Sequence, residues 1–295
     1  MKINYVICLL LLLPFHSFCQ SANKDEIPFE LLPSGHILVK AKIDNVQGNF
    51  IFDTGAGVTT FTKAFFKKLT HTTLEDGGYT AFRATGERAD LDLYRVAGFE
   101  LGSLKKTNEE ISYVDMDLGD IEGIISLKFF GSRPFTVDFE KKVLRLESPA
   151  SLAIIKRTAK KIPVQLEQSR EKSLTIFSYF KINDKLNLQL ALDAGAGKDV
   201  YRLNPKYLKA LNIDISDTLH VKTIQKKSEF NKEFVSNIYK TRLKSLAAAD
   251  QPTIDVKDFP VQFVDGLIYD GIIWINWLGK RITFDLQNKM LLVQR

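Results

Sequence analysis

A chain of 295 residues with 45% apolar, 26% charged and 11% aromatic residues has the composition of a folded globular protein, which excludes a disordered chain, a collagen-like repeat and a coiled coil. The formal charge of +6 comes from 41 Lys and Arg against 35 Asp and Glu, with basic residues in scattered pairs such as Lys67-Lys68 and Lys226-Lys227. Acidic residues lie between those pairs, a pattern of solvated surface that argues against nucleic acid as a partner.

The chain begins with Lys2, an apolar run from Val6 to Phe15, and the triplet Ser17-Phe18-Cys19 before Gln20. That order reads as a signal peptide over residues 1–19, with export to the periplasm or medium as the expectation. Bulky Phe18 argues against a lipid anchor on Cys19. Cys8 and Cys19 are the two cysteines, so a chain processed near Gln20 would carry no disulfide, no zinc–thiolate site and no catalytic thiol. No later apolar stretch is long enough for a transmembrane helix.

Beyond residue 27 the signals are those of short strands and turns. Ile37–Ile43, Asn49–Phe52, Tyr94–Leu101, Phe135–Phe139, Val143–Leu146, Leu186–Leu192 and Arg281–Leu286 are alternating or wholly apolar runs bounded by Gly, Asn, Asp and Pro. Short helices are predicted at Thr62–Leu69 and Pro205–Leu211, the second opened by Asn204 and Pro205. Single helical turns are predicted at Lys128–Phe130 and Trp274–Leu278.

The sequence repeats itself. Lys-Ile-Asp-Asn-Val-Gln-Gly-Asn-Phe-Ile-Phe-Asp-Thr-Gly-Ala-Gly at 42–57 returns at 181–197 as Lys-Ile-Asn-Asp-Lys-Leu-Asn-Leu-Gln-Leu-Ala-Leu-Asp-Ala-Gly-Ala-Gly. Downstream, Glu122-Gly123-Ile124-Ile125 is answered by Asp270-Gly271-Ile272-Ile273, and Thr136-Val137-Asp138-Phe139 by Thr283-Phe284-Asp285-Leu286. One Asp-x-Gly is an ordinary turn. Two copies with matching elements in the same order mark a tandem duplication. Residues 28–147 and 163–295 are the two halves, joined by a connection over 148–162.

Each copy places an aspartate directly after an apolar strand and directly before glycine, as Asp53-Thr54-Gly55 and Asp193-Ala194-Gly195. A two-fold arrangement of the halves would bring the two turns face to face. Two carboxyl groups about 3 Å apart cannot both ionise, so one holds a proton while the other is a base. Such a pair can activate water and protonate the carbonyl under attack. Asp138 and Asp285 close strands and read as structural. His36, His71 and His220 stand alone, without metal-ligand spacing, and read as surface residues. No phosphate-loop lysine and no Gly-x-Ser-x-Gly elbow is present.

At Phe52-Asp53-Thr54-Gly55-Ala56, Leu192-Asp193-Ala194-Gly195-Ala196 and the two Gly-Ile-Ile segments, the chain resembles the aspartyl proteases. It is most similar to the retropepsin-like bacterial group, with two halves in one chain as in pepsin. The resemblance implies an all-β fold with a few short helices, built as two homologous acid-protease-like barrel lobes around a cleft. It implies Asp53 and Asp193 as the catalytic pair, supported by Thr54, Gly55, Ala194 and Gly195, and no cofactor or metal. It implies an extended peptide as substrate, with a monomer sufficient to form the pair. A flap is implied at Tyr79–Leu91, including Tyr79, Phe82, Thr85 and Gly86. The matching stretch His220–Phe230 has no glycine, so a single flap is expected.

Two departures lie in the second half. The family places Thr or Ser after each catalytic aspartate, and Ala194 has lost that hydroxyl. The family also favours a second glycine after Gly-Ile-Ile, where this chain has Ser126 and Trp274; at Trp274 either the backbone shifts or the equivalence is displaced by one residue. The resulting expectation is an exported aspartic endopeptidase. The alternatives are a non-cutting peptide-binding relative and an exported β-rich structural or adaptor protein.

Overall fold

In Ile37–Ile43 the residues Ile37, Val39, Ala41 and Ile43 are buried while Lys40 and Lys42 face solvent. This period-two pattern sets one face of a strand against a core. The same logic runs through a computed structural model that describes residues 25–228 and 233–295, of which the proposed signal peptide with Cys8 and Cys19 is no part. The protein is 54% strand and 9% helix, an all-β fold with a few short helices.

The first half closes a six-stranded barrel. Ile37–Ile43 pairs with Val46–Asp53, which runs parallel to Gly123–Ser126; the circuit continues through Thr60–Thr62, Leu104–Val114 and Tyr94–Leu101. Tyr94–Leu101 returns to Ile37–Ile43 through Lys42↔Glu100 and Ile43↔Phe99. Phenylalanines fill this barrel, with Phe50 packed edge-on to Phe65 at 5.2 Å and Phe61 also against Phe65 at 5.3 Å. Such contacts add to the area each ring buries.

The second half repeats the circuit strand for strand. Ser173–Ile182, Leu186–Asp193, Gly271–Trp274, Tyr201–Leu203, Gln251–Val264 and Val235–Ala248 follow in the same order and with the same parallel and antiparallel senses. Closure is by Phe180↔Ala248 and its neighbours. The duplication read from two short motifs therefore extends to the whole topology.

A third layer holds the halves together. Glu26–Leu31, Val143–Leu146 and Phe135–Asp138 from the first half join Arg281–Asp285, Met290–Gln294 and Lys160–Pro163 from the second. Its centre is the antiparallel pairing of Phe135–Asp138 with Arg281–Asp285, with Thr136 opposite Thr283 and their hydroxyls 2.7 Å apart. Phe135 and Phe284 stack beside them at 4.8 Å. The equivalent threonines of the repeat thus sit on the approximate two-fold axis.

Three local expectations change. Trp274–Leu278 is not a helical turn: Trp274 ends a strand because its N–H donates to Val200 O across the sheet, and the bend after it closes through Leu278 N to Ile275 O. Pro205–Leu211 forms only a short 3-10 turn at Pro205–Tyr207, capped by Asn204. The connection between halves contains a helix, Pro149–Thr158, whose first turn is capped by Ser148 accepting from Ser151 N.

Candidate active site

Both aspartates end apolar strands, and both strands are gripped on the far side by the Gly-Ile-Ile segments. Asp53 pairs with Ser126, and Asp193 pairs with Trp274. The equivalence of Ser126 and Trp274 therefore holds without displacement.

The two turns meet. Asp53 Oδ1 accepts from Gly55 N at 2.7 Å, its own turn, and from Gly195 N at 3.1 Å, across the halves. A methyl group placed on Gly195 would lie 2.3 Å from the Asp53 carboxyl carbon, and one on Gly55 would lie 2.5 Å from that of Asp193. Each carboxyl group thus occupies the space that a side chain on the opposing glycine would need, which is why glycine stands at both positions.

Thr54 locks the turns from beneath. Its buried hydroxyl donates to Leu192 O at 2.8 Å and accepts from Ala194 N at 2.9 Å. Ala194 has no hydroxyl to return the arrangement, so half of a two-fold set of bonds is missing. A second asymmetry follows from the strand partners. Ser126 Oγ reaches Ala56 O at 2.6 Å and steadies the first turn. Trp274 has no such group, and its buried indole N–H finds no partner among the described residues.

The second turn is held from the other half instead. His36 Nε2 lies 2.9 Å from Gly195 O, and Ser34 Oγ lies 2.8 Å from His36 Nδ1. A carbonyl accepts only, so His36 donates from Nε2, and in the neutral ring Nδ1 accepts from Ser34. Lys198 N donates to Ser34 O at 2.7 Å beside it. His36 is therefore not a free surface histidine as expected; only its place just before a strand hinted at a role, and spacing rules for metals do not detect such a bond. His71 and His220 take no part.

Burial raises the pKa of Asp193 well above the ordinary carboxyl range, and the Asp53 charge and a hydrogen bond to Asp53 push it the same way. Arg202 and the Gly195 N–H oppose the shift. Asp193 Oδ1 is fully enclosed without a hydrogen-bond partner.

A hairpin of Tyr79–Phe82 and Arg88–Leu91 extends over the second half, turning through residues 83–87. Ile268 N donates to Ala84 O at 3.0 Å, Gly86 lies against Gly266 O, and Tyr79 Oη is 2.8 Å from Ser173 Oγ. Thr85 and Gly86 form the tip, whereas Phe82 points outward and is largely exposed. The stretch Lys222–Lys227 pairs with Val235–Lys240 as part of the second sheet; residues 229–232 lie outside the described set.

The two barrel-like lobes share one topology, and their paired Asp-x-Gly turns interlock at the junction. Residues 39–129 match the aspartyl protease family, a span that includes the Asp53 turn, the hairpin and Gly123–Ser126. This match supports an aspartic-protease-like function. The fold is similar to that in the crystal structure of edgp, at a TM-score of 0.51 and 10% identity over 90% of this chain and 93% of that one. That likeness concerns the fold alone. No curated protein matches the chain.

Proposed function

We propose that the protein is an exported aspartic endopeptidase that cleaves extended peptides with Asp53 and Asp193. The observation that supports this reading is the reciprocal packing of each carboxyl group against the opposing turn's glycine. Asp53 Oδ1 accepts two backbone N–H groups, one from each turn, which fixes its carboxyl group at the junction and assigns it the role of base. Asp193, with its raised pKa, is the proton carrier. Asp53 takes a proton from a water held between the carboxyls, and the water oxygen forms a bond to the peptide carbonyl carbon. Asp193 gives its proton to the carbonyl oxygen. Collapse of the tetrahedral intermediate breaks the C–N bond as Asp53 protonates the departing nitrogen and Asp193 takes back a proton from a gem-diol hydroxyl, which leaves a carboxylic acid, a free amine and both aspartates in their starting states. The hairpin lies where it would cover the bound chain.

Asp53→Asn and Asp193→Asn variants test the proposal on a mixed peptide library. Loss of cleavage with unchanged thermal unfolding supports it, as does inhibition of the wild type by pepstatin. A peptide-binding protein that does not cut is the second reading, favoured by the missing hydroxyl at Ala194 and the unpartnered indole of Trp274. Peptide binding by a wild-type protein that cleaves nothing between pH 3 and 8 would select it.

A further inference from the structure

One charged side chain near the paired turns has no role in the proposed chemistry. Arg202 sits in the middle of Tyr201–Leu203, where Tyr201 and Leu203 are buried in the barrel core and Arg202 faces the other way. Strand register defines that other face. Phe177 pairs with Ala191, Ala191 with Ile272, and Ile272 with Arg202, so these four side chains form one row across the sheet. Directly paired residues project to the same side.

The row borders the paired turns. Phe177, Ala191 and Ile272 form a small apolar cluster with Leu267, onto which Ala84 of the hairpin and Ala196 of the Asp193 turn pack. Asp193 follows Ala191 by two residues and shares its face. Two strand spacings and two residues along a strand put the Arg202 and Asp193 Cα atoms about 12 Å apart. Burial lowers the pKa of Arg202 from the ordinary guanidinium value; Asp193, when ionised, opposes that shift and Arg83 adds to it.

Arg202 forms no hydrogen bond or ion pair with any described residue. The nearby Arg83 of the hairpin is already engaged, donating to Glu87 at 3.2 Å and to Ser228 at 3.0 Å. Arg202 thus holds a half-buried guanidinium beside an apolar floor, with its donor fork unused by other described residues. Removing a cation from water without a partner is costly, and a carboxylate offers the bidentate match that recovers the cost.

We propose that Arg202 is a specificity residue that binds a carboxylate of the peptide close to the scissile bond. Acidic side chains and a free C-terminus share this chemistry. The inference rests on the cleft being a peptide site, as in the peptidase reading, and concerns what the site selects.

The test uses the full chain carrying Asp53→Asn, so that bound peptide is not consumed, and fluorescently labelled peptides with Glu, Gln or Leu placed at each position in turn. Each peptide is made as the C-terminal acid and amide. Fluorescence anisotropy should show at least about tenfold tighter binding for a carboxylate at one position than for its amide counterpart, the size of one charge-assisted bond. The acid and amide series separates a side-chain carboxylate from a terminal one. Adding Arg202→Gln should abolish the preference, and Arg202→Lys should retain part of it. Equal binding of Glu and Gln peptides together with equal binding of acids and amides would overturn the proposal without any Arg202 variant, as would absence of peptide binding. A preference that survives Arg202→Gln would also overturn it. Cleavage of the same peptides by the wild type is scored separately: no cleavage refutes the peptidase reading, while a carboxylate preference in binding would stand.

Discussion

Replacing Thr54 by Val tests the cross-lobe lock with little change in side-chain shape. The hydroxyl is wholly buried, donates to Leu192 O at 2.8 Å and accepts from Ala194 N at 2.9 Å. Valine satisfies neither group. Stranding the buried Ala194 N–H costs about 1–3 kcal/mol, and loss of the bond to Leu192 O adds about 1 kcal/mol, for a total near 2–4 kcal/mol. Since Ala194 offers no reciprocal hydroxyl, no second bond of this kind compensates. Urea unfolding followed by tryptophan fluorescence should show a lower midpoint in Thr54→Val at an unchanged slope, with Thr54→Ser near wild type. Peptide cleavage should fall with it, because Gly195 N would no longer be held against Asp53. A Thr54→Val protein within about 0.5 kcal/mol of wild type would refute the reasoning.

Substituting His36 by Ala should cost about 1 kcal/mol and lower kcat more than it raises KM, while His36→Gln, which can still donate to Gly195 O, should recover part of the loss; steady-state kinetics of the three proteins decides this. The raised pKa of Asp193 means that the folded state keeps a proton the unfolded chain releases, so stability falls as pH rises from about 4 through the folded pKa. Asp193→Asn should remove that slope, and thermal melts from pH 4 to 8 will show it. For catalysis the sign is the same: the rate should decline once pH exceeds the raised pKa, because the proton donor is lost. Gly195→Ala, whose methyl would lie 2.3 Å from the Asp53 carboxyl carbon, should abolish cleavage, and retained activity would show that the turns part easily. Lys172 bridges Glu75 at 2.9 Å and also Glu110, and Lys172→Met should destabilise by about 1–2 kcal/mol in urea, discounted for the partial exposure of the lysine.

Much of this architecture was legible because duplication multiplies weak signals. Ile37–Ile43 and Tyr94–Leu101 carry clean apolar alternation or apolar ends, and their boundaries agree with the structure. The long hairpin of Val235–Ala248 and Gln251–Val264 escaped notice because its outward face alternates Lys, Arg, Asp and Thr, and because Pro252 and Pro260 are poor strand signals. Pro260 is nevertheless accommodated opposite Arg242. At the site, Thr54 and Ala194 could be read directly, since their effect depends on one hydroxyl two turns share. His36 and Arg202 could not. Each acts through a partner distant along the chain, Gly195 for His36 and the apolar row for Arg202, and no local periodicity encodes such a meeting.

The central seam of the shared sheet, with Thr136 opposite Thr283, has a consequence for how the halves came to differ. The same pairing could be made by two identical copies of one half, each threonine meeting its own counterpart, as in an isologous dimer. In such a dimer every substitution would appear twice, so an arginine beside one acidic turn would also stand beside the other. Covalent joining releases that constraint. One half can keep a serine as a brace while its sister puts a tryptophan in that place, leaves the bracing to His36 across the seam, and spends a strand position on charge.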